Sequence, residues 1–282
     1  MGKRPHSFLL LVVALSLAGC ACTVPYTGQG LNPQISRGKP NTFLDGLGAI
    51  PGAVFKVLLL SKRMCAHCIS PDTEEVLVDY IAAVPPHETA FHDTLFRLNQ
   101  YAPLDDLRRL GSNHHVAWPY RFTLGLLETL VFEVLPISHL LGGDHYNPFT
   151  NTVHVYADHS AVLLHEAGHA YNTSQQRWKG TSAFLYFFLV PFVLFEEYTA
   201  SERAIQYFVV QGDRKHELEA YKILYPAYAT YLGASFPIPF GNFIGLIPGH
   251  IWGRLKARSR ARYYQTIDAA SSLPLSPQPA SP

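Results

Sequence analysis

The sequence predicts an α+β fold that is mostly helical. From residue 70 onward, apolar residues recur at helical spacing in successive blocks separated by capping and breaker residues. Only one stretch, around 151–156 in "TNTVHVY", alternates β-formers and reads as a strand. The 282 residues suffice for one large domain or two small ones, and no repeat of the kind that builds solenoids is present.

Residues 1–19 have the layout of a secretory signal, with Lys3 and Arg4 ahead of a short apolar stretch at 8–17 that is too brief for a comfortable membrane span. Residues 20–41, rich in Gly, Pro, Asn and Gln, read as a tether. Residues 42–60 are apolar with Gly and Pro breaks and read as a core helix or one lying on a membrane surface, burial being the plainer expectation. Ser70-Pro71-Asp72 with Glu74 and Glu75 marks a capped helix start, running to about residue 83 before Pro85-Pro86. Further helices are expected at 87–100, 104–110 and 120–135. "GGDHYNPF" supplies turn residues, the strand follows, and Asp158 and Ser160 are cap candidates for the helix after it.

Residues 183–211 are strongly apolar, but Pro191 and Glu196-Glu197 interrupt them, so a buried helix is expected rather than a span. A helix at 214–232 follows, then a Pro/Gly-broken apolar segment at 236–252 and a basic stretch of helical tendency. One domain over 42–268 results, with a disordered tail at 269–282.

Charged residues make up 15% of the chain, below the usual quarter. The formal net charge is +1, and without Lys3 and Arg4 the chain has 20 basic and 21 acidic residues. That balance argues against nucleic acid as a partner.

The chemistry concentrates in "VLLHEAGHAYN", residues 162–172. On a helix, His165 and His169 lie one turn apart on one face and can direct two imidazoles at one zinc ion. Glu166 lies about 100° round the helix, poorly placed as a ligand beside both histidines but well placed as general base on a water at the metal. The flanks are uncharged, and such a helix would hold two histidines and a glutamate at a cost unless they share a partner. Gly168 in mid-helix points to close packing. A core helix with hydrogen-bonded histidines is the alternative for the motif taken alone.

This segment resembles the active-site helix of the zincin metallopeptidases. The third histidine of the metzincins is absent, since position 175 is Gln. "FEEYTASERA" is similar instead to the Glu-x-x-Ala-Asp segment of the gluzincins, which implies Glu197 as third ligand, with Glu196 as runner-up. Ser201 then stands where the family carries an Asp that orients a ligand histidine. The resemblance covers about residues 145–205 and implies hydrolysis of a peptide substrate with one zinc ion. It also implies a small antiparallel sheet or edge strand beside the helix, and places the 151–156 strand there to bind extended peptide. His154 on that strand reads as structural or cleft-facing. Tyr207, His216, Tyr221 and His250 are candidate oxyanion donors.

Leu17-Ala18-Gly19-Cys20 resembles the lipobox of bacterial lipoproteins. That implies cleavage before Cys20, lipidation of its thiol and stable membrane anchoring in the cell envelope. Ala21 after the cysteine implies, by enterobacterial sorting, the outer membrane facing the periplasm. In that compartment the pair Cys65 and Cys68 favours a disulfide; a redox or His67-assisted metal role lacks supporting context. A non-catalytic assembly or binding lipoprotein, with a structural or vestigial zinc site and its apolar C-terminal half as working surface, is the second function class the sequence admits.

Overall fold

The computed structural model describes residues 30–39 and 41–271; Lys3, Arg4, the lipobox-like stretch ending at Cys20 and the chain beyond Ser271 lie outside the described residues. In chain order the elements are β1 (Ile35–Arg37), α1 (Thr42–Leu58), α2 (Pro71–Ala83), α3 (Thr89–His92), β2 (Leu95–Leu98) and α4 (Pro103–Ser112). Next come α5 (118–134), α6 (Ile137–Leu141), β3 (His145–Asn147), β4 (Thr152–Val155) and α7 (Ser160–Gln175). The chain closes with α8 (Lys179–Phe188), α9 (Val190–Val210), α10 (Arg214–Ala234) and α11 (Gly241–Ser271). The fold is mostly helical α+β with a small mixed sheet.

The sheet order is β1-β2-β4-β3. β1, β2 and β4 run parallel, and β3 closes one edge antiparallel to β4. Side chains alternate across the sheet. On one face Ile35, Phe96, Leu98, Val153 and Val155 join Leu163, Leu164 and Phe91 in the main core. The other face carries Arg97, His154, His145, Asn147 and Thr152, and α4 and α5 supply partners that cover it: Asp106 bonds Arg97 at 2.9 Å and Glu133 accepts from Asn147 at 2.7 Å. A parallel sheet must be covered on both faces; here one cover is apolar and the other polar.

The first part of α7, up to Ala170, is largely buried between the sheet, α2, α9 and α10. Its N-cap is His159, whose Nδ1 accepts from Ala161 N, so neither Asp158 nor Ser160 caps it. Asp158 instead accepts from Ser70 N, Ser70 Oγ and Thr73 Oγ1, tying the α7 entrance to the start of α2. α2 begins and ends where its capping signals place it, with Ser70 as N-cap.

Several expectations are corrected. The helix expected at 87–100 is only the short α3, and Leu95–Leu98 form β2, because pairing with β1 and β4 outweighs local propensity. β1 lies inside the stretch read as tether. The 151–156 strand exists as β4 but is interior; the edge position belongs to β3. Of the broken segment at 236–252, residues 236–240 form a turn and the rest opens α11, which continues to Ser271 beyond the expected boundary at 268. The glycines there do not break the helix: Gly241, Gly245, Gly249 and Gly253 recur every four residues and form a contact stripe. A Cβ on Gly245 would lie 2.1 Å from the Ala229 carbonyl of α10, and one on Gly253 2.2 Å from that of Tyr221.

Burial was expected for 42–60 and 183–195, yet Phe43, Ile50 and Val57 on α1 are exposed, as are Phe187, Phe188, Leu189 and Phe195 at the α8–α9 elbow. Phe243, Ile247, Ile251 and Trp252 on α11 are exposed as well. No single described helix is long and apolar enough to cross a membrane; α8 and α9 pass by length and composition only as a pair bent by 113°.

The expected Cys65–Cys68 bond is not formed. Cys65 is a free buried thiol whose Sγ lies 3.3 Å from the Gly142 carbonyl. Burial, aided by Asp144, pushes the Cys65 thiol up to about 12, so it is held as an unreactive packing group.

Candidate metal centre

Helical spacing brings His165 and His169 together on α7: their Nε2 atoms are 3.2 Å apart and their rings cross at 84°. Glu197, on the α9 turn that faces them, completes the cluster. Its Oε2 is 3.2 Å from His165 Nε2 and its Oε1 3.6 Å from His169 Nε2. The approach of α9 depends on Gly168, where a Cβ would lie 3.0 Å from the Ala200 carbonyl.

Nitrogen and oxygen ligands at about 2.0–2.1 Å from a tetrahedral zinc stand about 3.3–3.4 Å from each other. The three separations bracket that value, and the donor set of two imidazoles and a carboxylate suits zinc. His165, His169 and Glu197 therefore fit one zinc ion.

Supporting contacts fix the donors. Ser201 Oγ lies 3.2 Å from His165 Nδ1, which leaves Nε2 for a metal when Nδ1 carries the proton. Tyr186 Oη donates to Glu197 Oε1 at 2.5 Å. Tyr231 of α10 stands near the same carboxylate, whose charge raises its phenol well above the usual range. Burial opposes ionisation of Glu197, yet His169 and His165 hold its carboxyl far below the usual carboxylate range. Glu196 points elsewhere, accepting from Gln176 Nε2 at 2.9 Å; Glu197 is the residue that converges.

A cavity of about 350 Å³ opens on this cluster, lined by Glu166, His169, Glu197, Tyr186, Tyr231 and by His145 and Tyr146 of edge strand β3. Glu166 is buried at the wall, and burial, reinforced by Glu197 and opposed by His165, raises its carboxyl to about 7. A carboxylate poised near neutrality can take up and release a proton in one cycle.

No protein family, curated protein or solved structure matches this chain.

The four residues expected as oxyanion donors are engaged elsewhere. Tyr207 packs on Tyr80, His216 bonds Asp213, Tyr221 bonds Glu217, and His250 bonds the Leu58 carbonyl. Tyr186 and Tyr231 occupy the cavity instead. Nothing local marks them, because packing of α8 and α10 around α9 decides which tyrosines face Glu197. Two further groups of candidate ligands come together: Asp45, His67 and His139, where His139 Nε2 and Asp45 Oδ1 are 2.8 Å apart, and Glu133, His145 and His154.

Proposed function

We propose that this protein is a zinc-dependent metallopeptidase of gluzincin type, anchored in the bacterial cell envelope through lipidated Cys20 and hydrolysing peptide bonds. The observation that carries the reading is the convergence of His165, His169 and Glu197 at tetrahedral ligand spacing, with Glu166 on the wall of the cavity they open into. Zinc held there would supply Lewis acidity toward the scissile carbonyl and acidify a water. Glu166 accepts the proton of the attacking water and delivers it to the leaving amine. Glu197 would complete the ligand set, and Ser201 orients His165. Tyr231, whose phenol Glu197 and burial keep protonated, donates toward the oxygen that gains charge. β3 is the sheet edge at the cavity and offers its backbone to an extended peptide by strand addition.

The exposed apolar faces of α1, the α8–α9 elbow and α11 support placement against a lipid surface close to the anchor. α1 and α11 meet where His250 Nε2 bonds the Leu58 carbonyl at 2.7 Å.

The test is turnover of a quenched-fluorescence peptide library by zinc-loaded wild type and Glu166→Gln. The reading predicts cleavage by wild type and loss of it in a variant with equal zinc content. Equal cleavage by both, or by neither, would overturn it.

A further inference from the structure

The polar face of the sheet holds a second set of ligand-type atoms. His145 on β3 and His154 on β4 are directly paired across the antiparallel ladder. Their rings stack at 4.8 Å and 6°. Glu133 comes from α5 above them. Its Oε1 is 3.5 Å from His145 Nε2 and 3.6 Å from His154 Nε2. These separations are too long for good hydrogen bonds and match the spacing of donors that share an ion, as in the first cluster.

Glu133 Oε1 accepts from Asn147, but His145 Nε2, His154 Nε2 and Glu133 Oε2 are buried without a hydrogen bond. Glu133 and His154 are at most 3% exposed. Leaving three such groups unpaired side by side is costly. The surrounding bonds also prepare them for a cation. His145 Nδ1 lies 3.0 Å from the Gly143 carbonyl; a carbonyl only accepts, so the proton is on Nδ1 and Nε2 presents its lone pair. Asn147 Nδ2 donates to Glu133 Oε1 at 2.7 Å and holds the carboxylate in place.

The backbone of α5 is shaped to this end. Residues 129–134 take the wider π register, in which each N–H bonds five residues back. In an α-helix, residues five apart point about 140° away from each other; the π register brings Glu128 and Glu133 toward one side. Glu128 Oε2 is likewise buried and unpartnered, and Glu128 lines the same cavity as His145.

We propose that Glu133, His145 and His154 form a second divalent-metal site of zinc class, structural in role, joining α5 to β3 and β4. It is distinct from the His165–His169–Glu197 centre in every ligand. Glu133 and His154 lie outside the cavity lining, and of the three ligands only His145 reaches the cavity wall. Its role is to hold β3, the strand that forms the cavity edge.

The test isolates this site by removing the other. His165→Ala/His169→Ala protein is loaded with zinc, freed of excess by gel filtration, and assayed for metal per chain, with a melting curve to confirm folding. About one ion per chain is expected to remain. Adding Glu133→Gln, which keeps shape, or separately His145→Ala, is expected to remove that ion, whereas adding Asp45→Asn leaves it. X-ray absorption at the zinc edge of the double variant is expected to report two imidazole nitrogens. Absence of zinc from the folded double variant would overturn the proposal, as would an ion that survives Glu133→Gln and His145→Ala. Either failure leaves the peptidase reading standing, because that reading is tested by Glu166→Gln in the intact chain.

Discussion

Ser201 lies one helical turn beyond Glu197 on α9, and its Oγ stands 3.2 Å from Nδ1 of His165. Residues four apart share a helix face, so one face of α9 carries both the candidate ligand Glu197 and the hydroxyl that supports candidate ligand His165. A hydroxyl accepts the Nδ1 proton more weakly than a carboxylate would. Ser201→Ala is therefore expected to weaken zinc binding about ten-fold, and Ser201→Asp to restore or exceed it. Competition with a chromophoric chelator measures both.

The two cavity tyrosines separate by kinetics. Tyr231→Phe is expected to lower kcat by about 10²-fold with little change in KM, the signature of a donor used in the transition state. Tyr186→Phe, which takes the 2.5 Å bond from Glu197 Oε1, is expected instead to reduce zinc affinity. Paired steady-state kinetics and zinc titrations distinguish the roles.

Gly168→Ala should destabilise the protein although alanine favours helix. The new Cβ would meet the Ala200 carbonyl at 3.0 Å, and that carbonyl belongs to the α9 backbone. Overpacking of this kind costs about 1–3 kcal/mol, more than the propensity gain of up to about 1 kcal/mol. Urea denaturation midpoints report the difference.

The contribution of His159 to stability should fall as pH drops from about 6.5 toward 4. Burial, with Arg63 and His216 adding repulsion, lowers His159 from 6.5 to about 4. Its Nδ1 accepts from Ala161 N, which protonation would forbid. At this site the unfolded chain therefore binds a proton that the folded chain refuses across this window, and the His159 contribution, read as the difference between wild type and a His159 variant, rises with pH by about 3 kcal/mol. His159→Asn keeps a side chain that caps helices well and should flatten that part of the profile. Denaturation of chelator-treated protein at pH 7.5 and 5.0 checks it.

The parts of the site legible in the sequence are those set by local spacing. His165, Glu166 and His169 depend only on helical geometry, and Glu197 with Ser201 on one later turn. The Ser70 cap of α2 is equally local. Strands β1, β2 and β3 draw their structure from partners far along the chain, so three or four residues each gave no usable alternation. The Gly241-Gly245-Gly249-Gly253 stripe carried a readable four-residue period, but glycine and Pro248 read first as breakers. Glu133, His145 and His154 come from three elements that only the fold unites. The exposed apolar faces of α1 and α11 could not be told from buried ones by composition, since both are equally apolar.

The most direct test of the central claim is an anomalous difference map at the zinc edge from crystals of zinc-loaded protein. The account predicts a peak bonded to His165 Nε2, His169 Nε2 and the Glu197 carboxylate at about 2.0–2.2 Å, with an open position facing the cavity. No peak there, or one liganded by Glu196 in place of Glu197, would contradict it.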